Sequence, residues 1–187
     1  KSVAGLAGNS LKNKEPVQRQ LVWMLVVLLI MITSGGYNST TSSGTHCEAF
    51  PGCHEGSAVS FGMSGTEIST WSGIEGHVLV AAPAEFQGRF LPVFANEWIH
   101  MLHRLIALSG GLVLILMSWI WLRNRQGYKV LGTSIVMLIL FEIFVGILNA
   151  VFRVPAPVSA LHTAIAATLT GFLFFLLADV HLKKEKL

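Results

Sequence analysis

Four long apolar stretches separated by polar segments set the architecture of this 187-residue chain. They cover about residues 17–36, 98–122, 130–151 and 158–180. Each holds about 20 residues or more, enough for a helix rising about 1.5 Å per residue to cross a hydrocarbon core of about 30 Å. The links after the second and third stretches are short: Asn124–Tyr128 in one, and the segment broken by Pro155 and Pro157 in the other. Short links force antiparallel neighbours. The pattern therefore predicts an all-α membrane protein, residues 1–187 forming one antiparallel four-helix transmembrane bundle. A long loop, residues 37–97, joins the first two spans. The first 16 residues are polar and read as a frayed tail. Ser34–Gly36 and Asn38–Gly44 mark the exit from span one, and His77–Ala84 reads as a strand or a short interfacial segment. No A-x-A site follows the first stretch, so it reads as a span and not as a cleaved signal peptide. No internal repeat is visible.

Composition agrees with this picture and adds an orientation. The chain is 52% hydrophobic and only 12% charged, with mean hydropathy +0.62, whereas soluble domains carry roughly 25% charged residues. Lys1, Lys12, Lys14 and Arg19 precede span one; Arg123, Arg125 and Lys129 lie between spans two and three; Lys183, Lys184 and Lys186 follow span four. The opposite side holds Arg89, Arg104 and Arg153. By the positive-inside rule both termini are cytoplasmic and the long loop is outside, in a prokaryotic-type cell membrane. The net charge of +3 is this bias, with no signal for nucleic acid.

The candidate chemistry gathers at the outer side. Cys47 and Cys53, the only cysteines, share the external loop. An oxidising compartment favours a disulfide between them. A reactive dithiol and a soft-metal site with the flanking His46 and His54 are the alternatives. Span two opens Glu97-Trp98-Ile99-His100-Met101-Leu102-His103-Arg104. At about 100° per residue, Glu97, His100, His103 or Arg104, and Ala107 share a face. His103 in span two and His162 in span four each lie about five residues into their spans, roughly 8 Å below the outer boundary at helical rise. Two imidazoles at one depth suit the two axial positions of a heme iron. Small residues follow each of them: Ala107, Gly110 and Gly111 in span two, and Ala166, Thr170 and Gly171 in span four. Such a stripe either leaves room for a flat macrocycle or lets helices approach closely. Arg104 and Arg153 suit heme propionates, since guanidinium binds carboxylate through a fork, with lipid headgroups as the other partner. Glu97 and His100 form a candidate acid/base pair or substrate clamp. Glu142 is placed near mid-membrane, so it faces the bundle, is neutral, or pairs across a subunit contact. His46, His54, His77 and His181 receive no role.

The loop reads Gly35-Gly36-Tyr37-Asn38-Ser39-Thr40-Thr41-Ser42-Ser43-Gly44-Thr45-His46-Cys47-Glu48-Ala49-Phe50-Pro51-Gly52-Cys53. This resembles the G-G-x-x-R-x-T-x-S-G-x-x-C-x-x-W-P-x-C motif of the heme A synthase family. Ile99-His100-Met101-Leu102-His103-Arg104-Leu105 resembles that family's His-Arg motif. Gly146-Ile147-Leu148-Asn149, Pro155-Ala156-Pro157 and Ala160-Leu161-His162 are similar to the start of its last helix. The resemblance implies oxidation of the C8 methyl of heme O to a formyl group, giving heme A for terminal oxidases. It implies His103 and His162 as axial ligands, heme b as cofactor, a Cys47–Cys53 disulfide, and a catalytic glutamate near the first ligand. Most members have two related four-helix halves, and this chain resembles one half, as in compact members. Either one site then serves both roles or, as favoured here, a homo-oligomer supplies the cofactor and substrate sites in separate subunits, with heme O synthase and an electron donor as further partners. Asn38 stands where the family has Arg, Phe50 where it has Trp, and Glu142 where Gln is common. The family's glutamate position falls on His100, and Glu97 lies one turn earlier. Two rival readings are a bis-His b-type cytochrome that only passes electrons, and a thiol oxidoreductase working through Cys47 and Cys53.

Overall fold

The computed structural model describes residues 3–47, 49–54, 89–122, 128–152 and 154–185. These residues are helical or irregular, with no strand among them. Helix α1 spans Val3–Thr40, α2 Ala95–Leu116 with a wide π turn at Met117–Leu122, α3 Lys129–Val151 and α4 Ala156–Glu185. Each contains an apolar segment of membrane-crossing length, namely Pro16–Thr40, Ala95–Ile120, Lys129–Val151 and Ala156–Leu182. Helix α1 packs against α2 and α4, and α3 packs against the same two, so α2 and α4 face each other across the bundle.

Helix α1 departs from the expected pattern at both ends. It begins at Val3, where a frayed tail is expected, and continues through Pro16. Proline removes one backbone hydrogen bond from a helix. Val17, the next residue, is already buried in the core, so packing holds the helix where the backbone is weakened. At the other end Ser34–Gly36 lies inside the helix, because the chain does not leave α1 until Thr40. Ser42 then turns with φ 55° into a short 3-10 turn, Ser43–Thr45. The segment His77–Ala84 lies outside the described residues.

One end of the bundle is filled by aliphatic side chains. Val17, Leu21, Met24 and Leu28 of α1 meet Leu114, Met117 and Leu122 of α2, Ile135 and Ile139 of α3, and Leu169, Leu173 and Val180 of α4. In lipid such packing stabilises by close contact, since the surrounding tails are equally apolar. Outward residues such as Trp23, Ile30, Leu105 and Phe175 are exposed, as befits side chains that face lipid or another subunit.

The other end is closed by the loop. Cys47 and Cys53 are disulfide-bonded. The Ala49 N–H donates to the Cys53 carbonyl (3.2 Å), and the Cys53 N–H donates to the Phe90 carbonyl (3.1 Å). The link between α3 and α4 joins the same region. Val154 sits there at φ 62°, a strained conformation for a β-branched residue, with its N–H held by the Asn149 carbonyl at 2.7 Å. Its side chain packs onto Gly44, where a Cβ would meet it at 3.3 Å.

Candidate functional site

The loop end of the bundle collects the polar side chains. Glu97, His100 and Arg104 are buried on one face of α2, as their spacing predicts. Glu97 Oε2 accepts the Val93 N–H at 2.7 Å and the Phe94 N–H at 3.0 Å, satisfying amides that the helix start leaves free. His54 Nε2 lies 3.5 Å from the same oxygen, and both side chains are buried. Cys53 is adjacent, but its sulfur is bonded to Cys47 and offers no thiolate to a metal. His46 turns elsewhere: Nδ1 is 3.0 Å from the Ser42 carbonyl, and Asn96 meets Nε2 at 3.2 Å. These contacts anchor the loop to the start of α2.

Arg104 is the centre of that anchoring. Nη1 donates to the Ala49 carbonyl at 2.8 Å and the Gly52 carbonyl at 3.0 Å, and Nε donates to His100 Nε2 at 3.1 Å. The guanidinium also lies over the Phe50 ring, 5.5 Å from its centroid. Two buried atoms of this cluster have no hydrogen-bond partner, His100 Nδ1 and Arg104 Nη2. Buried polar atoms without partners are costly, and together they mark a place suited to an anionic or hydrogen-bonding group. Arg153 and His77 lie outside the described residues.

His103 and His162 are each set on a glycine of the preceding helix. The His103 ring lies against Gly35 of α1, where a Cβ would come within 3.0 Å of Cε1. The His162 ring lies against Gly146 of α3, with the same 3.0 Å approach to Cε1. Each Nδ1 has a polar neighbour on the adjoining helix. Ser34 Oγ is 3.0 Å from His103 Nδ1, and Glu142 Oε1 is 3.1 Å from His162 Nδ1. The Ser34 hydroxyl proton is directed at the Met31 carbonyl, 2.7 Å away. Its oxygen is therefore the acceptor, and His103 Nδ1–H the donor. The His103 ring is then left with a bare Nε2, the tautomer suited to binding a metal. Glu142 and His162 are in ion-pair distance without hydrogen-bond geometry between them. Glu142 faces the bundle and is buried, which leaves His162 as its partner and lipid out of reach.

The small-residue stripe divides between its two readings. Gly110 and Gly111 serve close approach: a Cβ there would strike Met31 of α1 at 2.7 Å and Ile143 of α3 at 2.8 Å. Gly171 has nothing within 4 Å of its Cβ position. Sequence reasoning read Ser34 and Gly35 only as the exit from span one, because neither carries a periodic signal of its own.

Four apolar helices of membrane-crossing length, with a disulfide-bonded loop over a buried polar cluster at one end, define a polytopic helical membrane protein. Comparison with known proteins gives the family. A family model described as cytochrome oxidase assembly protein, COX15-CtaA, matches residues 4–174, and the chain belongs to that family. It is 28% identical over 127 residues to heme A synthase of Shewanella oneidensis, a match covering 66% of this chain and 34% of that relative. The chain thus spans about a third of the length of the curated relative it matches. No solved structure matches it.

Proposed function

We propose that this chain works in heme A synthesis, holding a heme between His103 and His162 while the C8 methyl of heme O is oxidised to a formyl group. The observation that carries the reading is the pair of seats, each a histidine ring set on a glycine of the preceding helix with a polar group, Ser34 or Glu142, beside its Nδ1. A heme fits this donor set, since paired neutral imidazoles suit its iron. The partnerless Arg104 Nη2 and His100 Nδ1 fit its carboxylates or a substrate edge. Bound there, the heme supplies the redox chemistry, and the chain supplies orientation and proton handling.

Of the two candidate catalytic groups, His100 keeps Nδ1 for a proton transfer or a substrate hydrogen bond. Glu97 positions the cluster through its helix-start and His54 contacts. Arg153 joins Arg104 as a propionate partner in this scheme. The loop and its disulfide lie on the outer side, both termini lie inside, and a homo-oligomer brings cofactor and substrate sites together. Heme O arrives from heme O synthase, and a separate donor supplies electrons.

A second reading has a specific observation in its favour. Two histidine ligands fill both axial positions, the arrangement of an electron-carrying b-type cytochrome. One experiment separates the two. The chain is expressed with heme O supplied under aerobic, reducing conditions, and extracted hemes are resolved by chromatography and mass. Appearance of heme A supports the synthase; heme O recovered unchanged removes it and leaves the electron carrier.

A further inference from the structure

The two histidine seats share a glycine against the ring and differ in the group beside Nδ1. His162 is backed by the Glu142 carboxyl at 3.1 Å. His103 is backed by the Ser34 hydroxyl at 3.0 Å, whose own proton is committed to Met31. A carboxyl group at ion-pair distance is a stronger electrostatic partner for an imidazole than a neutral hydroxyl. A carboxylate behind a metal-bound histidine also raises the basicity of the ligating nitrogen.

We infer that Glu142 would make His162 the more firmly held of the two heme-binding histidines, leaving His103 as the one that yields. The inference rests on the heme reading above and deepens it. Glu142 is a positioning residue here, acting only through His162. His100 and Arg104, each with a partnerless buried polar atom, lie on the same helix as His103. Release of His103 would let a small ligand such as dioxygen or carbon monoxide reach the site.

The test uses the full chain in detergent, loaded with iron protoporphyrin IX and followed by absorbance, midpoint potential and carbon monoxide binding to the ferrous form. Wild type should be low-spin and bind carbon monoxide slowly, as His103 is displaced. His103→Ala should keep the heme and bind carbon monoxide faster, whereas His162→Ala should lose the heme. Glu142→Gln should raise the midpoint potential, and Glu142→Leu should weaken heme retention roughly tenfold or more. Ser34→Ala should move both quantities less. Equal heme loss in the two histidine variants, or a Glu142→Gln protein with wild-type potential and carbon monoxide kinetics, overturns the ranking. Absence of any low-spin spectrum in the wild type overturns the heme reading itself.

Discussion

The two ends of the bundle are built from the same helices by opposite rules. Away from the loop, Leu21, Met24, Leu114, Ile139 and Leu173 interlock without a polar group among them. At the loop end the helices present glycines and titratable side chains to one another, and most buried polar atoms without partners gather there, with Gln20 Oε1 the exception. Low-dielectric surroundings make each unmet polar atom expensive. A chain that concentrates them at one end and fills the other with aliphatic contacts keeps its polar cluster apart from its packed core. The contrast teaches that the packed end holds the helices in register, and the loop end spends that register on placing two imidazoles.

The comparison is broken most completely at the histidines. A double His103→Ala, His162→Ala protein should lose all heme absorbance while its helical content by circular dichroism stays unchanged. Parallel loss of helix would mean that the two ends are not separate. Next in size is the reverse change. Leu173→Ala at the packed end should lower stability to thermal unfolding in detergent by about 2–4 kcal/mol, because the cavity forfeits contacts the lattice of side chains cannot recover. The heme spectrum of that variant should keep its band positions.

Gly146→Val tests the seat itself. The Cβ alone would stand 3.0 Å from His162 Cε1, so the ring must shift, and heme affinity should fall about tenfold, about 1.4 kcal/mol. Titration with iron protoporphyrin IX reads it, and an unchanged affinity would show that the glycine is not needed for the ring. Smallest is Arg104→Lys, which keeps a charge but gives up the fork that grips Ala49 and Gly52. The loop should become easier to cleave by protease, with stability lowered by about 1 kcal/mol. Cleavage at the wild-type rate would place the hold on the loop in the disulfide alone.

Much of the polar site was legible from the chain. His103 and His162 stood out because an imidazole in an apolar span is rare, and Glu97, His100 and Arg104 followed from helical spacing. What stayed hidden were the groups facing them. Arg104 looked suited to a propionate by charge, yet two of its nitrogens hold the loop and His100, leaving Nη2 for a ligand. Gly35 read as the end of a span and is inside α1 against an imidazole. Val154, in the left-handed region, gave no sign at all, since a β-branched residue there is held only by its tertiary neighbours.

The sequence alone determined the span number, the side on which the polar chemistry gathers, the paired cysteines and the two histidines, because hydropathy and helical period act locally along the chain. The tertiary structure alone decided that a hydroxyl backs one histidine and a carboxyl the other. Ser34 meets His103 across 69 residues of chain. Such a contact depends on how one helix is rotated and slid against its neighbour, which the packed end fixes and no local pattern records.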